Sequence, residues 1–359
     1  MNRLSIMVGI ICFLLLTACA KQQILDRITI FFACAFDDSP NDQIEFTLVA
    51  PKYHSKEPGT VSNQLLSRVG HTSIGIKESM ELQLSRPINT GKISVVLFGK
   101  DLAAKGLSKE LDVISRDAQA SQMMYLAIVD GNARELLRSK FNLDEEKGMF
   151  LFNLLDSNVK NGLVPRQNLY EFQYAYFGKG IDPFLPLLKL QGDRVEIVGL
   201  ALFKDDHYVT SINEKQMQLF KLLYQDVQQG NFEMDLGHHS HVAMKNVGSK
   251  VAYKVEKEKA ETEITIQLII NGEIIDSVNN HLSNPNVLQL QRLFENDFAE
   301  TAMSFIKLLK QKNIDPLGFG DLVRSKTRNW NEKEWLEQYS QLKVNLNVKV
   351  KLVETGVRK

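Results

Sequence analysis

The sequence is short of the features that place a protein fastest. It has no excess of either charge: Lys plus Arg and Asp plus Glu each number 43 in 359 residues. A nucleic-acid-binding surface or a polybasic membrane patch usually unsettles that balance, and here nothing does. It has only three cysteines, Cys12, Cys19 and Cys34, too few for the disulfide framework of a small exported domain. It has no apolar run of the roughly 20 residues that a helix needs to cross a bilayer. Internal repeats and low-complexity tracts are missing too. What remains, 44% hydrophobic and 24% charged, is ordinary globular composition with enough length for two or three packed cores.

The first 18 residues stand apart. Arg3 is their one charge, and Leu4 to Leu16 is apolar over 13 residues, the length of an export-signal core rather than of a membrane span. Leu16-Thr17-Ala18-Cys19 follows: a bulky apolar residue, two small ones and a thiol, the arrangement at the processing site of a bacterial lipoprotein signal. The cysteine is what that chemistry requires, because its sulfur takes the diacylglyceryl thioether before cleavage leaves it as the new N-terminus. An ordinary cleaved signal would leave Cys19 without a purpose. On this reading Cys12 departs with the signal, Cys19 carries lipid, and Cys34, within Ile28 to Phe36, remains as a small buried hydrophobe.

Beyond Cys19, strands and helices alternate. Ile28 to Phe36 and Ile44 to Ala50 read as a hairpin around the acidic turn Asp37 to Asp42, expected to be solvated. A helical stretch is expected over Asn63 to Val69, a strand over Ile93 to Phe98, a helix from Asp101 to about Ala118 and a strand over Met124 to Val129. Helices follow near Ala133 to Lys140 and over Lys147 to Lys160. Pro165 to Pro186, rich in aromatics, glycine and proline, is expected to be an irregular stretch packed between two units. Arg194 to Phe203 reads as a buried strand.

In the second half, Ile264, Ile266, Leu268 and Ile270 alternate up to Asn271-Gly272, the pair that a type I′ turn favours, and predict a β-hairpin over Glu263 to Asp276. Asn286 to Gln311 has helical spacing with one apolar stripe. Asn331 to Gln341 predicts a short helix with Trp335 and Tyr339 on one face, and Val344 to Leu352 a half-exposed strand. The charge run Glu256 to Glu261 reads as a solvated turn. The fold class expected is mixed α/β followed by α+β, the latter an antiparallel sheet with helices on one face. The division expected is 1–18 signal, 19–200 an N-terminal region with room for two subdomains, and 201–359 a C-terminal α+β domain.

Chemistry-bearing motifs do not assemble. Gly237-His238-His239-Ser240-His241 puts three imidazoles within four residues, but on a strand only His239 and His241 share a face, and no neighbouring Cys, Asp or Glu completes a metal site. Gly318-Phe319-Gly320 begins like a dinucleotide fingerprint, yet Val323 takes the third glycine position and a helix precedes it. Gly99-Lys100 is followed by Asp101 where a phosphate loop needs Ser or Thr. His71-Thr72-Ser73 and Asp205-Asp206-His207 hold triad residue types without a nucleophile elbow. No catalytic residue, cofactor or metal is expected.

Several of these stretches occur together, in order, in one family. Val96 to Leu107 contains a strand, a helix start and an "AxxGL" element, with Arg116-Asp117 behind it. Gly199 to Asp206 reads "GxAxFKxD", Asp315 to Gly320 reads "DPLGxG", and Trp330 to Leu342 leads into the last strand. With Cys19 and the polar segment before Ile28, this sequence resembles the lipoprotein C subunits of spore germinant receptors, the Ger(x)C family. It departs in having Ala20-Lys21 where the family usually carries a tryptophan. The resemblance implies three α/β-type domains in an elongated body, and no enzymatic activity. It implies a lipid anchor on the outer face of the spore inner membrane, with integral-membrane A and B type receptor subunits as partners and no nucleic acid. Two other classes fit parts of the sequence: a lipid-anchored extracytoplasmic solute-binding protein, and a surface hydrolase using His207 or the Gly237 to His241 region.

Overall fold

A computed structural model describes residues 29–53, 61–140, 145–237, 239–258, 261–278 and 287–352. The signal segment 1–18 and Cys19 lie outside the described residues. Among the described residues two large sheets and a two-stranded ribbon, β1 (Thr29–Ile30) with β5 (Ile88–Asn89), form a mixed α+β fold.

The larger sheet has eight strands. β2 (Ala33–Ser39), β6 (Val95–Gly99), β7 (Tyr125–Val129) and β8 (Phe184–Gln191) lie parallel at its centre. β3 (Gln43–Tyr53) and β4 (Val61–Gly70) extend one edge antiparallel, and β9 (Arg194–Lys204) and β10 (His207–Asn213) extend the other. The central strands are continuous apolar runs, VVLFG and YLAIV, buried at every residue. Such runs need cover on both faces. On one face Cys34, Phe36, Val96 and Phe98 pack with α1 (Ser73–Glu81), α2 (Lys100–Lys105), α3 (Ser108–Arg116) and α6 (Leu169–Phe177). On the other Ala33, Ala35, Val95 and Leu97 pack with α4 (Ala133–Arg138) and α5 (Lys147–Lys160).

The smaller sheet runs β11 (Gly230–Gly237), β12 (Ser240–Glu258), β13 (Glu261–Val278), β14 (Lys343–Leu352). One face packs against α7 (Glu214–Tyr224), α8 (Val287–Lys312), α9 (Phe319–Lys326) and α10 (Glu332–Tyr339), while Lys250, Gln267, Ile269 and Lys349 lie exposed on the other. Helix α7 belongs to both sheets: Phe220 packs with Phe184 of β8 and with Phe305 of α8. Lys221, buried on α7, donates to the Val164 carbonyl at 2.7 Å, and burial brings its ammonium down to about 8.

The first hairpin, the strands near 93–98, 124–129 and 194–203, and the helices near 133–140, 147–160, 286–311 and 331–341 stand as expected. Others differ. Asn63 to Val69 belongs to β4: Leu65 and Leu66 point to opposite faces, and each finds one of the two cores, so neighbouring leucines do not require a helix. The helix expected over 101–118 breaks at Gly106 into α2 and α3. Pro165 to Pro186 is not irregular: Asn168 and Glu171 form a reciprocal capping box that starts α6, and β8 begins at Phe184. No hairpin turns at Asn271-Gly272. β13 passes straight through, and a Cβ on Gly272 would fall 2.4 Å from the Met244 sulfur, so this glycine serves cross-strand packing.

The last strand is parallel to β13, not antiparallel, because β12 already occupies the other edge and the chain returns through the crossover helix α8. Asp37 is not solvated; it is 1% exposed and its carboxylate accepts the N–H groups of Ala133 and Arg134 at 2.7 and 2.8 Å, capping α4. β9 runs unbroken through residue 200, so the large sheet draws strands from both sides of that position.

Candidate functional site

Two features of the fold concentrate its polar and cavity-forming residues. The first is a gap in the helical cover of the large sheet. Between α1 and α3 a cavity of about 600 Å³ is floored by Cys34, Phe36, Phe46, Val96 and Met124, all buried. Phe36 stacks on Phe46 at 4.7 Å and on Phe98 at 5.7 Å, which fixes the floor. Its rim is charged. Arg116 pairs with Asp112 at 2.8 Å, Asp117 accepts the Thr90 hydroxyl at 2.7 Å, and Lys77 projects from α1 into the lining. An apolar floor with a few polar groups at its mouth suits a small amphipathic molecule. Cys34 is not poised there as a nucleophile, because burial pushes its thiol far above its ordinary value and keeps it protonated.

The second feature is the tight turn between β9 and β10, Lys204 to His207, on which three separated motifs converge. Asp205 takes a left-handed φ of 54° there. On one side Asp206 accepts the Ser108 N–H at 2.8 Å and its backbone carbonyl accepts that of Leu107 at 3.1 Å, docking the turn onto the α2–α3 junction. Gly106, at φ 107°, makes the approach feasible: a Cβ there would sit 2.7 Å from the Asp206 carboxylate. On the other side Lys204 donates to Asp182 at 3.2 Å, and Asp182 accepts the Asp315 N–H at 2.7 Å. Asp315 in turn accepts the N–H groups of Phe319 and Gly320, at 3.0 and 2.7 Å, and so begins α9.

Both carboxylates of this joint are buried. Asp182 and Asp315 are each 4% exposed. Burial raises both carboxyls, Asp315 to about 7 against the opposing pull of its two N–H donors, with the neighbouring Asp182 adding to the rise. Gly320 meets Gly180 and Trp335 so closely that a Cβ would fall 2.4 Å from the indole nitrogen. The arrangement holds two units together.

The residues singled out in the sequence fall as follows. Cys19 lies outside the described residues, as does His238. His239 and His241 sit at the β11–β12 turn, where His241 approaches Glu233 at 3.5 Å. Among the described residues no group of three His, Cys, Asp or Glu side chains is placed to hold a metal ion, and no helix is long and apolar enough to cross a membrane. His207 lies 2.9 Å from Asp206, within the docking turn. Thr72 caps α1 through Gly75 at 3.2 Å. Asp182 and the Phe36–Phe46 floor escaped the sequence analysis: Asp182 sits in the aromatic stretch read as irregular, and the floor belongs to strands read only as core.

Comparison with known proteins gives the same outline. Residues 21–190 match the family described as "Spore germination protein N-terminal domain", and residues 198–356 match "Spore germination B3/ GerAC like, C-terminal". The chain is 27% identical over 346 residues to spore germination protein GerQC of Bacillus cereus, covering 95% of this chain and 96% of that one. It is 22% identical over 290 residues to spore germination protein A3 of Bacillus subtilis (strain 168), covering 77% and 75%. In fold it is similar to the crystal structure of the GerBC protein, with a TM-score of 0.58 and 17% identity over 91% of this chain and 99% of that one. With both halves matched and the motifs gathered at one joint, this chain belongs to the Ger(x)C family, the C subunits of spore germinant receptors.

Proposed function

We propose that this protein is the lipid-anchored, non-enzymatic subunit of a nutrient germinant receptor, assembling with integral-membrane A and B type subunits on the outer face of the spore inner membrane. The observation that carries this reading is the family match over both halves of the chain behind an LTAC sequence with Cys19 at the lipidation position. In it residues 1–18 are removed. Two acyl chains suit the task, since a single chain binds a bilayer only marginally at about 0.8 kcal/mol per buried CH₂. Tethering would then raise the concentration of the body next to its membrane partners. The absence of enzymatic activity is supported by how the triad-type residues are engaged: Asp206 and His207 in a docking turn, Thr72 in a helix cap.

Replacing Cys19 with alanine tests the reading. The expected result is unlipidated protein released from spore membranes, with germination toward at least one nutrient impaired; normal germination with the protein in the soluble fraction would overturn it. Crosslinking in spore membranes should recover the two integral-membrane subunits. A second reading, a lipid-anchored solute-binding protein, is favoured by the 600 Å³ cavity alone. A ligand-dependent rise in melting temperature without receptor partners in the crosslinks would support it instead.

A further inference from the structure

The first turn of α1, at the 600 Å³ cavity, has polar groups left over. Its cap Thr72 answers two of the opening backbone donors, the Gly75 N–H through its hydroxyl at 3.2 Å and the Ile76 N–H through its carbonyl at 2.9 Å. The N–H groups of Ser73 and Ile74 have no hydrogen-bond partner among the described residues, and the turn carries no acidic side chain. Such a helix start favours a negative group but is by itself only a solvated end.

Ser73 supplies the second observation. It is 8% exposed and lines the cavity, and its hydroxyl has no hydrogen-bond partner among the described residues. It is not one of their sealed, unpaired polar atoms, so the oxygen is open to the cavity. A buried hydroxyl without a partner is unfavourable and marks a place where one is missing. Lys77, one turn further along the same face of α1, also lines the cavity, half-buried and without an ion-pair partner among the described residues.

The remaining charges of the rim are engaged. Asp112 accepts from Arg116 at 2.8 Å, and the two oxygens of Asp117 accept the Thr90 hydroxyl at 2.7 Å and the Gln119 N–H at 2.9 Å. An entering cation would find both carboxylates occupied. An anion would find a free ammonium, a free hydroxyl and two free N–H groups on one helical turn. Below them Phe36, Ile93, Val96 and Met124 are buried and apolar, so the rest of the molecule must be apolar too.

We propose that this cavity binds an amphipathic carboxylate, its anionic group received by Ser73, the Ile74 N–H and the Lys77 ammonium, and its apolar body over Phe36, Val96 and Met124. The proposal does not rest on the receptor reading: it concerns the ligand of the cavity, whether the body serves a receptor or delivers a solute.

The test uses the full chain in phosphatidylcholine nanodiscs at neutral pH, with isoleucine and methionine methyl groups ¹³C-labelled. It is titrated with sodium octanoate and, in parallel, with 1-octanol and octylammonium, empty nanodiscs correcting for partition into lipid. Saturable shifts of the Ile93, Ile114 and Met124 methyl groups by octanoate are expected, with octanol and octylammonium about tenfold weaker. Lys77→Gln should weaken octanoate about fivefold and leave octanol unchanged, the latter showing the cavity intact. Ser73→Ala should weaken octanoate as well. Absence of saturable shifts with octanoate, equal affinity for octanol or octylammonium, or unchanged octanoate affinity in Lys77→Gln would overturn the proposal.

Discussion

The two sheets solve the problem of burial differently. The eight-stranded sheet is covered on both faces, so its central strands carry unbroken apolar runs and both faces of Val95 to Phe98 are core. The four-stranded sheet is covered on one face, and β14 shows it residue by residue: Val344, Leu346 and Val348 are half-buried and Val350 buried, while Lys343, Asn345, Asn347, Lys349 and Lys351 are exposed. Cover on two faces makes a strand insensitive to which way a side chain points, whereas cover on one face makes that direction decisive. The joint of Asp182, Lys204 and Asp315 lies where the two designs meet.

The comparison breaks most readily at that joint. Asp315→Ala strands the buried N–H groups of Phe319 and Gly320, and should cost about 4 kcal/mol from two lost acceptors; calorimetry should show a lower melting temperature and a single transition resolving into two as the sheets uncouple. Retention of one sharp transition at the original temperature would mean that the apolar packing of α7 alone couples them.

The next largest effect separates the sheets themselves. Leu97→Ala, in a strand with no exposed atoms on either face, should cost about 3 kcal/mol by urea denaturation, and Leu346→Ala in the half-covered sheet about 1 kcal/mol. Equal losses would show that Leu346 is as fully buried in solution as Leu97.

The pH dependence sharpens the contrast further. Asp37 in the large sheet and Asp315 at the joint are raised by burial, to about 6 and about 7. The folded state then holds protons that the unfolded chain has released. Each group therefore lowers stability as pH rises from about 4 towards its folded value. Asp315→Asn should flatten the stability profile between about pH 4 and 7, and Asp37→Asn only up to about 6. Lys221, lowered to about 8, works the other way: stability gains as pH rises from about 8 towards the ordinary lysine range. The smallest change is expected on the open face, where Ile269→Gln should stay within about 0.5 kcal/mol.

How much of this was legible beforehand follows the same division. The alternation of Val344 to Leu352, the stripe of α8 and the pair Trp335 and Tyr339 were readable because one-sided burial writes a period into the sequence. The β4 segment was misread because two-sided burial erases it, leaving Leu65 and Leu66 side by side. Asn271-Gly272 carried a strong local turn signal that lost to the long pairing of β13 with β12 and β14, in which Gly272 makes room for Met244. The candidate sites were less readable still. The "AxxGL", "GxAxFKxD" and "DPLGxG" elements could be recognised one by one, but nothing in their spacing says that Gly106, Asp206, Lys204 and Asp315 meet around one turn.

The motifs in their order pointed to the family, and the sequence by itself determined most of the elements with a one-sided pattern. These depend on local composition and periodicity. The tertiary structure alone decided which motif touches which: that Asp182 bridges to Asp315, that Asp37 is a buried cap rather than a solvated turn, and that Ser73 and Lys77 line one cavity with Phe36 and Val96. Those relations join residues as far as 133 positions apart. Only burial and the pairing of otherwise unsatisfied polar groups, which the folded chain imposes, select them.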